Sequence, residues 1–182
     1  MRNPRWRQWL TWCPQIGRSD ACRLPLRMTP ATLAAALPTL GSVLYMPLAT
    51  CGAGLPQQPC KVLVATPELA QLLRVHWLLA VSEIAPDGPR EWIEGIDREG
   101  RPCLRLHLLP DTDYLGWDRL LDRGEPVSVL PAAAPARALA AQSLRFHRQR
   151  VAGFDLLHGE VVTRLSPLGR QLAERIVRAY AD

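Results

Sequence analysis

Residues 102–109, PCLRLHLL, alternate with a period of two: Leu104, Leu106 and Leu108 point one way, and Cys103, Arg105 and His107 point the other. A strand with one buried face needs this pattern, and a helix of 3.6 residues per turn has no use for it. A second β-prone run, residues 91–97, comes just before. Between the two, Asp97-Arg98-Glu99-Gly100 supplies a hairpin loop whose glycine is free to take a positive φ. After the return strand, Pro110 is expected to end it. Asp111 or Thr112 then caps a helix with Asp113 in its first turn, and Tyr114, Trp117 and Leu121 form the helix's apolar stripe. Residues 91–122 therefore read as a β-hairpin running into a capped helix.

The rest of the chain is punctuated heavily by 17 prolines and 12 glycines, which favours many short elements. Thr29-Pro30 opens a short helix that ends before Pro38, and residues 42–46 (SVLYM) read as a strand. Residues 47–60 are loop by composition, and residues 61–65 (KVLVA) form another strand. Thr66-Pro67 starts a helix expected to reach Trp77, with Leu69, Leu72, Leu73 and His76 on its inner face. Pro86-Asp87-Gly88-Pro89 is a turn. Residues 130–141 read as a low-complexity linker into a further helix, residues 144–150 as its basic end, and residues 154–163 as a hairpin or loop. Ser166-Pro167 begins a last amphipathic helix with Leu168, Leu172 and Ile176 on one face. At the other end, Trp6, Trp9 and Trp12 share one helical face within an arginine-rich segment. That segment is read either as an extension or as a membrane-surface or partner-binding helix.

At 182 residues the chain suits one domain with extensions, and its formal net charge of +5 gives a mild attraction for anions. Three segments are expected: residues 1–27 as an N-terminal extension, 28–125 as an α+β domain, and 126–182 as a linker and C-terminal helices packed on that domain. The five cysteines lack C-x-x-C spacing, which argues against a zinc ribbon or dithiol site and for free thiols in a reducing cytosol. Residues 28–60 carry no charge but are broken by five prolines and three glycines, so no spanning helix is expected there. Residues 48–51 (LATC) match a lipoprotein cleavage site poorly. A cytoplasmic protein is expected. The sequence has no glycine-rich phosphate loop, no G-x-S-x-G and no H-x-x-x-H, and no nucleophile, base and orienting group stand together, so the reading leans away from an enzyme and names no catalytic residue. Arg145, Arg148 and Arg150 lie beside no nucleic-acid motif, and no nucleic-acid partner is expected.

Two stretches resemble a known family. Residues 33–46, LAAALPTLGSVLYM, are similar to the ALP-x-LG-x-V entry of bacterial haem-utilisation (hemin transport) proteins of the HemS/ChuX type. Residues 92–121 resemble the later hairpin and helix of the same half-domain, through Ile96-Asp97, Glu99-Gly100, residues 104–109 and Asp111-Thr112-Asp113-Tyr114. The resemblance covers roughly residues 30–125. It implies an α+β fold, an antiparallel β-sheet with helices packed against it, and a cytoplasmic haem-binding carrier or storage protein in haem iron acquisition. Met46-Pro47 stands where the family carries an Arg-Asn pair, so no family ligand is carried over onto this chain.

The candidates for holding haem come from the residues themselves. His107 is either an iron ligand, with Arg105 pairing a propionate, or a solvent-facing strand histidine. His76 is either a ligand or a satisfied interior imidazole. Tyr114 is either a phenolate ligand or a helix residue packed on the sheet. The alternative function is a non-enzymatic interaction module that docks through its tryptophans or its last helix. A homodimer is expected to be possible for a half-length relative of a two-half family.

Overall fold

The computed structural model describes residues 21–49, 62–85, 88–130 and 136–180. The expected tryptophan helix and Thr50-Cys51 of the LATC site fall outside these residues, as does the middle of the expected linker. The alternating run of residues 102–109 lies within strand β6 (Pro102–Thr112), at the centre of a ten-stranded sheet. The other strands are β1 (Ala21–Arg27), β2 (Gly41–Ala49), β3 (Val62–Val64), β4 (Trp77–Ala85), β5 (Gly88–Ile96), β7 (Glu125–Pro126), β8 (Arg137–Ala138), β9 (Gln142–Val151) and β10 (Phe154–Val161). Their order is β3-β10-β9-β2-β6-β5-β4-β1-β7, with β8 on β2, and every pairing is antiparallel except β3 with β10. The helices are α1 (Pro30–Ala36), α2 (Tyr114–Asp122) and α3 (Pro167–Ala179), with 3-10 turns at Leu37–Thr39 and Pro67–Arg74. This is an α+β fold, as expected, and no described helix is long and apolar enough to cross a membrane.

The two faces of the sheet are covered unequally. Leu104 and Leu106 of β6, Val43 and Tyr45 of β2, Ile93 of β5 and Leu78 of β4 turn inward. They meet Leu33 and Leu37 of the first helical segment, Leu69 and Leu72 of the second, and Trp117, Leu120 and Leu121 of α2. Burying each leucine or larger side chain there contributes about 1.5–3 kcal/mol. The Thr29 hydroxyl accepts from the Thr32 amide and caps α1, worth about 1 kcal/mol. On the outer face a smaller cluster of Leu44, Met46, Leu109, Ala173 and Ile176 seats α3.

Several expectations shift. The sheet already begins at Ala21, inside the segment expected as an extension, because β1 pairs along its whole length with β4. The helix expected through Trp77 is a 3-10 helix ending at Arg74, and Trp77 opens β4, a strand that the sequence pattern did not disclose. Residues 142–161 form a hairpin rather than a helix with a basic end. Leu144, Phe146 and Leu157 turn inward, and Ala152 and Gly153 make the tight turn at positive φ of 49° and 83°. Pro110 sits within β6 instead of ending it, at a stretch where the ladder with β2 shifts register and needs no proline donor. Asp113, not Asp111 or Thr112, caps α2, accepting from the Gly116 amide at 2.9 Å. The Thr112 hydroxyl instead receives the Leu109 amide at 2.8 Å and donates to the Ser42 carbonyl at 2.6 Å, tying β6 to β2. The β5–β6 loop forms as expected around Gly100 (φ 82°). It is pinned by the buried Asp97 carboxylate, which accepts from the Arg101 and Glu99 amides and from the Arg101 and Arg74 guanidiniums.

Candidate functional site

Cross-strand register fixes who stands beside His107. Leu44 of β2 and Trp92 of β5 flank it directly, and one step along the strand Arg105 stands between Met46 and Glu94. All of these side chains face outward, under α3. Burial of His107 is close to complete, at 3% exposure, because the C-terminal end of α3 lies over it. The Trp92 ring centroid is 5.9 Å from the imidazole, and that of Tyr180, just past the end of α3, is 5.8 Å from it on a different tilt. Nε2 of His107 has no hydrogen-bond partner, a condition that costs about 1–3 kcal/mol in a buried polar atom. Burial pushes the imidazole down to about 3, with the nearby Arg105 and Arg90 guanidiniums adding to the effect, so the ring is uncharged at neutral pH. An uncharged imidazole nitrogen lacking a partner, walled by aromatic rings, has the donor chemistry of a metal ligand.

Arg105 donates from Nε to Glu94 at 2.6 Å, and its guanidinium carbon lies 5.0 Å from the Tyr180 ring centroid. Glu94 is itself buried, so this is a shielded charge pair and not a loose surface one. Arg105 engages Glu94 through Nε, so a propionate paired with its terminal nitrogens would stand beside the buried Glu94 carboxylate.

The other two candidates lie elsewhere. His76 is not on a helix. It sits in the link between the Pro67–Arg74 turn and β4, where its backbone bonds to Ile96 and Met28 and its ring meets Trp77 edge-on at 4.5 Å. Burial, Arg98 and Arg27 lower its proton affinity, in that order of weight. Ile96 and Trp92 are four residues apart on β5, which puts His76 about 13 Å along the sheet from the His107 row. Tyr114 is 54% exposed, at the first turn of a helix packed on the inner face, and not part of the stripe expected for it; Gly116, Trp117, Leu120 and Leu121 carry that contact. The structure thus brings His107 and Arg105 together and leaves His76 and Tyr114 apart from them. Cys103 also leaves the expected polar face. A register shift opposite Gly95 and Ile96 turns its thiol into the main core, where it donates to the Gly95 carbonyl at 3.3 Å and is pushed up to about 12 by burial.

Trp92, Glu94, Arg90 and Tyr180 were missing from the sequence reading. The first three share one face of β5 through i, i+2 spacing, a signal usable only once the register with β6 is known. Tyr180 continues the helical stripe four residues beyond Ile176, but the stripe is rotated from the expected one: Gly169, Ala173 and Ile176 are buried, while Leu168 is exposed. Among the described residues no group of three or more His, Cys, Asp or Glu side chains is placed to hold a metal ion.

No family model matches the chain, and no curated protein does. Solved structures with a partial likeness include the heme degrading enzyme ChuS of Escherichia coli O157:H7, at 18% identity and a TM-score of 0.41, covering 59% of this chain and 35% of that one. An E. coli ChuS described as a heme oxygenase gives 19% identity and 0.41, covering 62% and 38%. Holo-PhuS, a heme-binding protein from Pseudomonas aeruginosa, gives 20% identity and 0.41, covering 65% and 39%. This chain spans about two fifths or less of the length of each.

Proposed function

We propose that the protein binds haem, as a cytoplasmic carrier or store in haem iron acquisition. The observation that carries this reading is His107, a buried, uncharged imidazole whose Nε2 has no partner and which stands between Trp92 and Tyr180. The sequence resemblance of residues 33–46 and 92–121 to haem-utilisation proteins supports it independently. Bound haem would supply an iron that a neutral nitrogen can ligate and a flat apolar surface. His107 would be that ligand, held in place by the β2–β6–β5 register. Trp92 would offer one apolar wall. Arg105 and Arg90, whose charges already bear on the imidazole, lie one step to either side of the His107–Trp92 row and would attract the propionates.

Titrating the purified chain with hemin tests the reading. We expect a saturable shift of the Soret band at one equivalent, and in His107→Ala a changed band position and weaker binding. His76→Ala and Tyr114→Phe should leave the spectrum as it is. A titration without saturation would remove the haem reading, and an unchanged spectrum in His107→Ala would remove the ligand assignment. Incubating the complex with a reductant in air separates carrier from enzyme: a stable Soret band supports carriage, and its loss supports ring opening.

A further inference from the structure

We propose that α3 is a hinged cover over His107, latched at its N-terminus to Asp111 and closed at its C-terminus by Tyr180, which a ligand must displace to reach the imidazole. The inference rests on the reading of His107 as the ligand-binding residue and describes how that site is regulated.

The latch is well defined. The Ser166 amide donates to Asp111 Oδ1 at 2.8 Å, and the Ser166 hydroxyl donates to Oδ2 at 2.9 Å. The same hydroxyl accepts the Gly169 amide at 3.0 Å, so one serine both caps α3 and fastens it to β6. Gly169 lies so close to the Asp111 carboxylate that a Cβ there would collide with it. The polar part of the fastening is therefore confined to one end.

Beyond the latch the grip is slight. Of the 13 residues of α3 only Gly169, Ala173 and Ile176 are buried, two of them with almost no side chain, and with the partly buried Leu172 they rest on a small cluster of Leu44, Met46 and Leu109. Such a helix is drawn from the weakly held end of a fold's stability range. Its far end carries the closing contact: Tyr180 touches the His107 ring at 5.8 Å between centroids and covers the Arg105 guanidinium at 5.0 Å. Aromatic pairs in direct contact have centroids about 4.5–7 Å apart, so no planar layer fits between these two rings while α3 is docked. The closed arrangement also leaves Nε2 of His107 without a partner. Closure thus shuts water out from a nitrogen that it does not itself satisfy, and a ligand atom placed there offsets that cost when the cover lifts.

Two measurements on the full-length protein decide the point. The first needs no haem: acylation of His107 by diethyl pyrocarbonate, followed by mass spectrometry. We expect slow modification in the native chain and in Tyr180→Phe, and modification about tenfold faster in Tyr180→Ala and in Asp111→Ala, each checked for a cooperative thermal transition. If His107 reacts at the same rate in native protein and in both latch and closure variants, the cover is overturned. The second is trypsin cleavage at Arg170, Arg175 and Arg178 of α3, with and without one equivalent of hemin. Faster cleavage on loading supports displacement. Unchanged cleavage alongside a His107-dependent Soret shift overturns the cover and leaves the haem reading standing. If hemin gives no saturable shift, the haem reading falls, and the acylation rates still decide the cover.

Discussion

At the scale of single residues, His107 links burial to pH. Its proton affinity in the folded chain lies far below the ordinary histidine value of 6.5, at about 3. The unfolded chain therefore takes up a proton first as the pH falls. The stability associated with the neutral ring is fully present above about pH 6.5 and drains away between 6.5 and 3, by at most about 1.4 kcal/mol per pH unit. The groups that bear on the ring are Arg105 on its own strand, Arg90 and Trp92 on β5, and Tyr180 beyond α3. Urea denaturation at pH 7 and pH 5 should show a loss of stability that shrinks in His107→Gln; an identical loss in both proteins would contradict the assignment. Cys103 offers a second residue-scale test. Its thiol, pushed up to about 12 and directed into the core, should resist iodoacetamide at pH 8 in the native state and react on unfolding. The alternation of residues 102–109 disclosed that His107 and Arg105 share a face. It did not disclose that this face is covered, because a period of two separates two faces without saying what lies on either. Nor could it reveal that Cys103 leaves the alternation, since a register shift depends on the partner strand.

Elements were legible in proportion to how locally they are determined. The caps at Thr29 and Ser166 and the hairpin through Gly100 rest on contacts within a few residues and are present, whereas the helix after β6 is capped by Asp113 where Asp111 or Thr112 was expected. β4 and the β9–β10 hairpin depend on distant partners. Residues 77–85 (WLLAVSEIA) carry no clean alternation of apolar and polar residues although β1 and β5 pair with both edges, and residues 142–151 hide two inward positions, Leu144 and Phe146, among arginines. Two substitutions follow from element geometry. Ala152 holds φ at 49° in the β9–β10 turn, a left-handed conformation costly for alanine, so Ala152→Asn should raise stability by about 0.5–1 kcal/mol, visible as a higher urea midpoint. Gly169→Ala should do the reverse. In an isolated helix it would help by about 1 kcal/mol, but here the added carbon meets the Asp111 carboxylate, and overpacking at about 1–3 kcal/mol outweighs the helical gain. A Gly169→Ala protein at least as stable as the parent would show that the latch yields without cost.

Over the whole molecule, the inner face is the fold's main investment. Trp117, Tyr45 and Phe146 are among its largest fully buried side chains, and Tyr45 adds a 2.6 Å hydrogen bond from its hydroxyl to the Glu68 carbonyl. Removing Trp117 with alanine should cost about 3–5 kcal/mol and shift the entire unfolding transition, read by circular dichroism. The α+β architecture was legible through the resemblance and the central hairpin. The extent of the sheet was not, because its outer strands add one at a time through long-range pairings. The unequal covering of the two faces has an evolutionary consequence. Errors on the inner face threaten the existence of the protein, whereas changes along α3 touch the latch, Tyr180 and the small outer cluster around Ala173 and Ile176. Helix α3 is thus freer to vary than the scaffold beneath it, and if it covers His107 as proposed, the ease of entry to the histidine would vary with it.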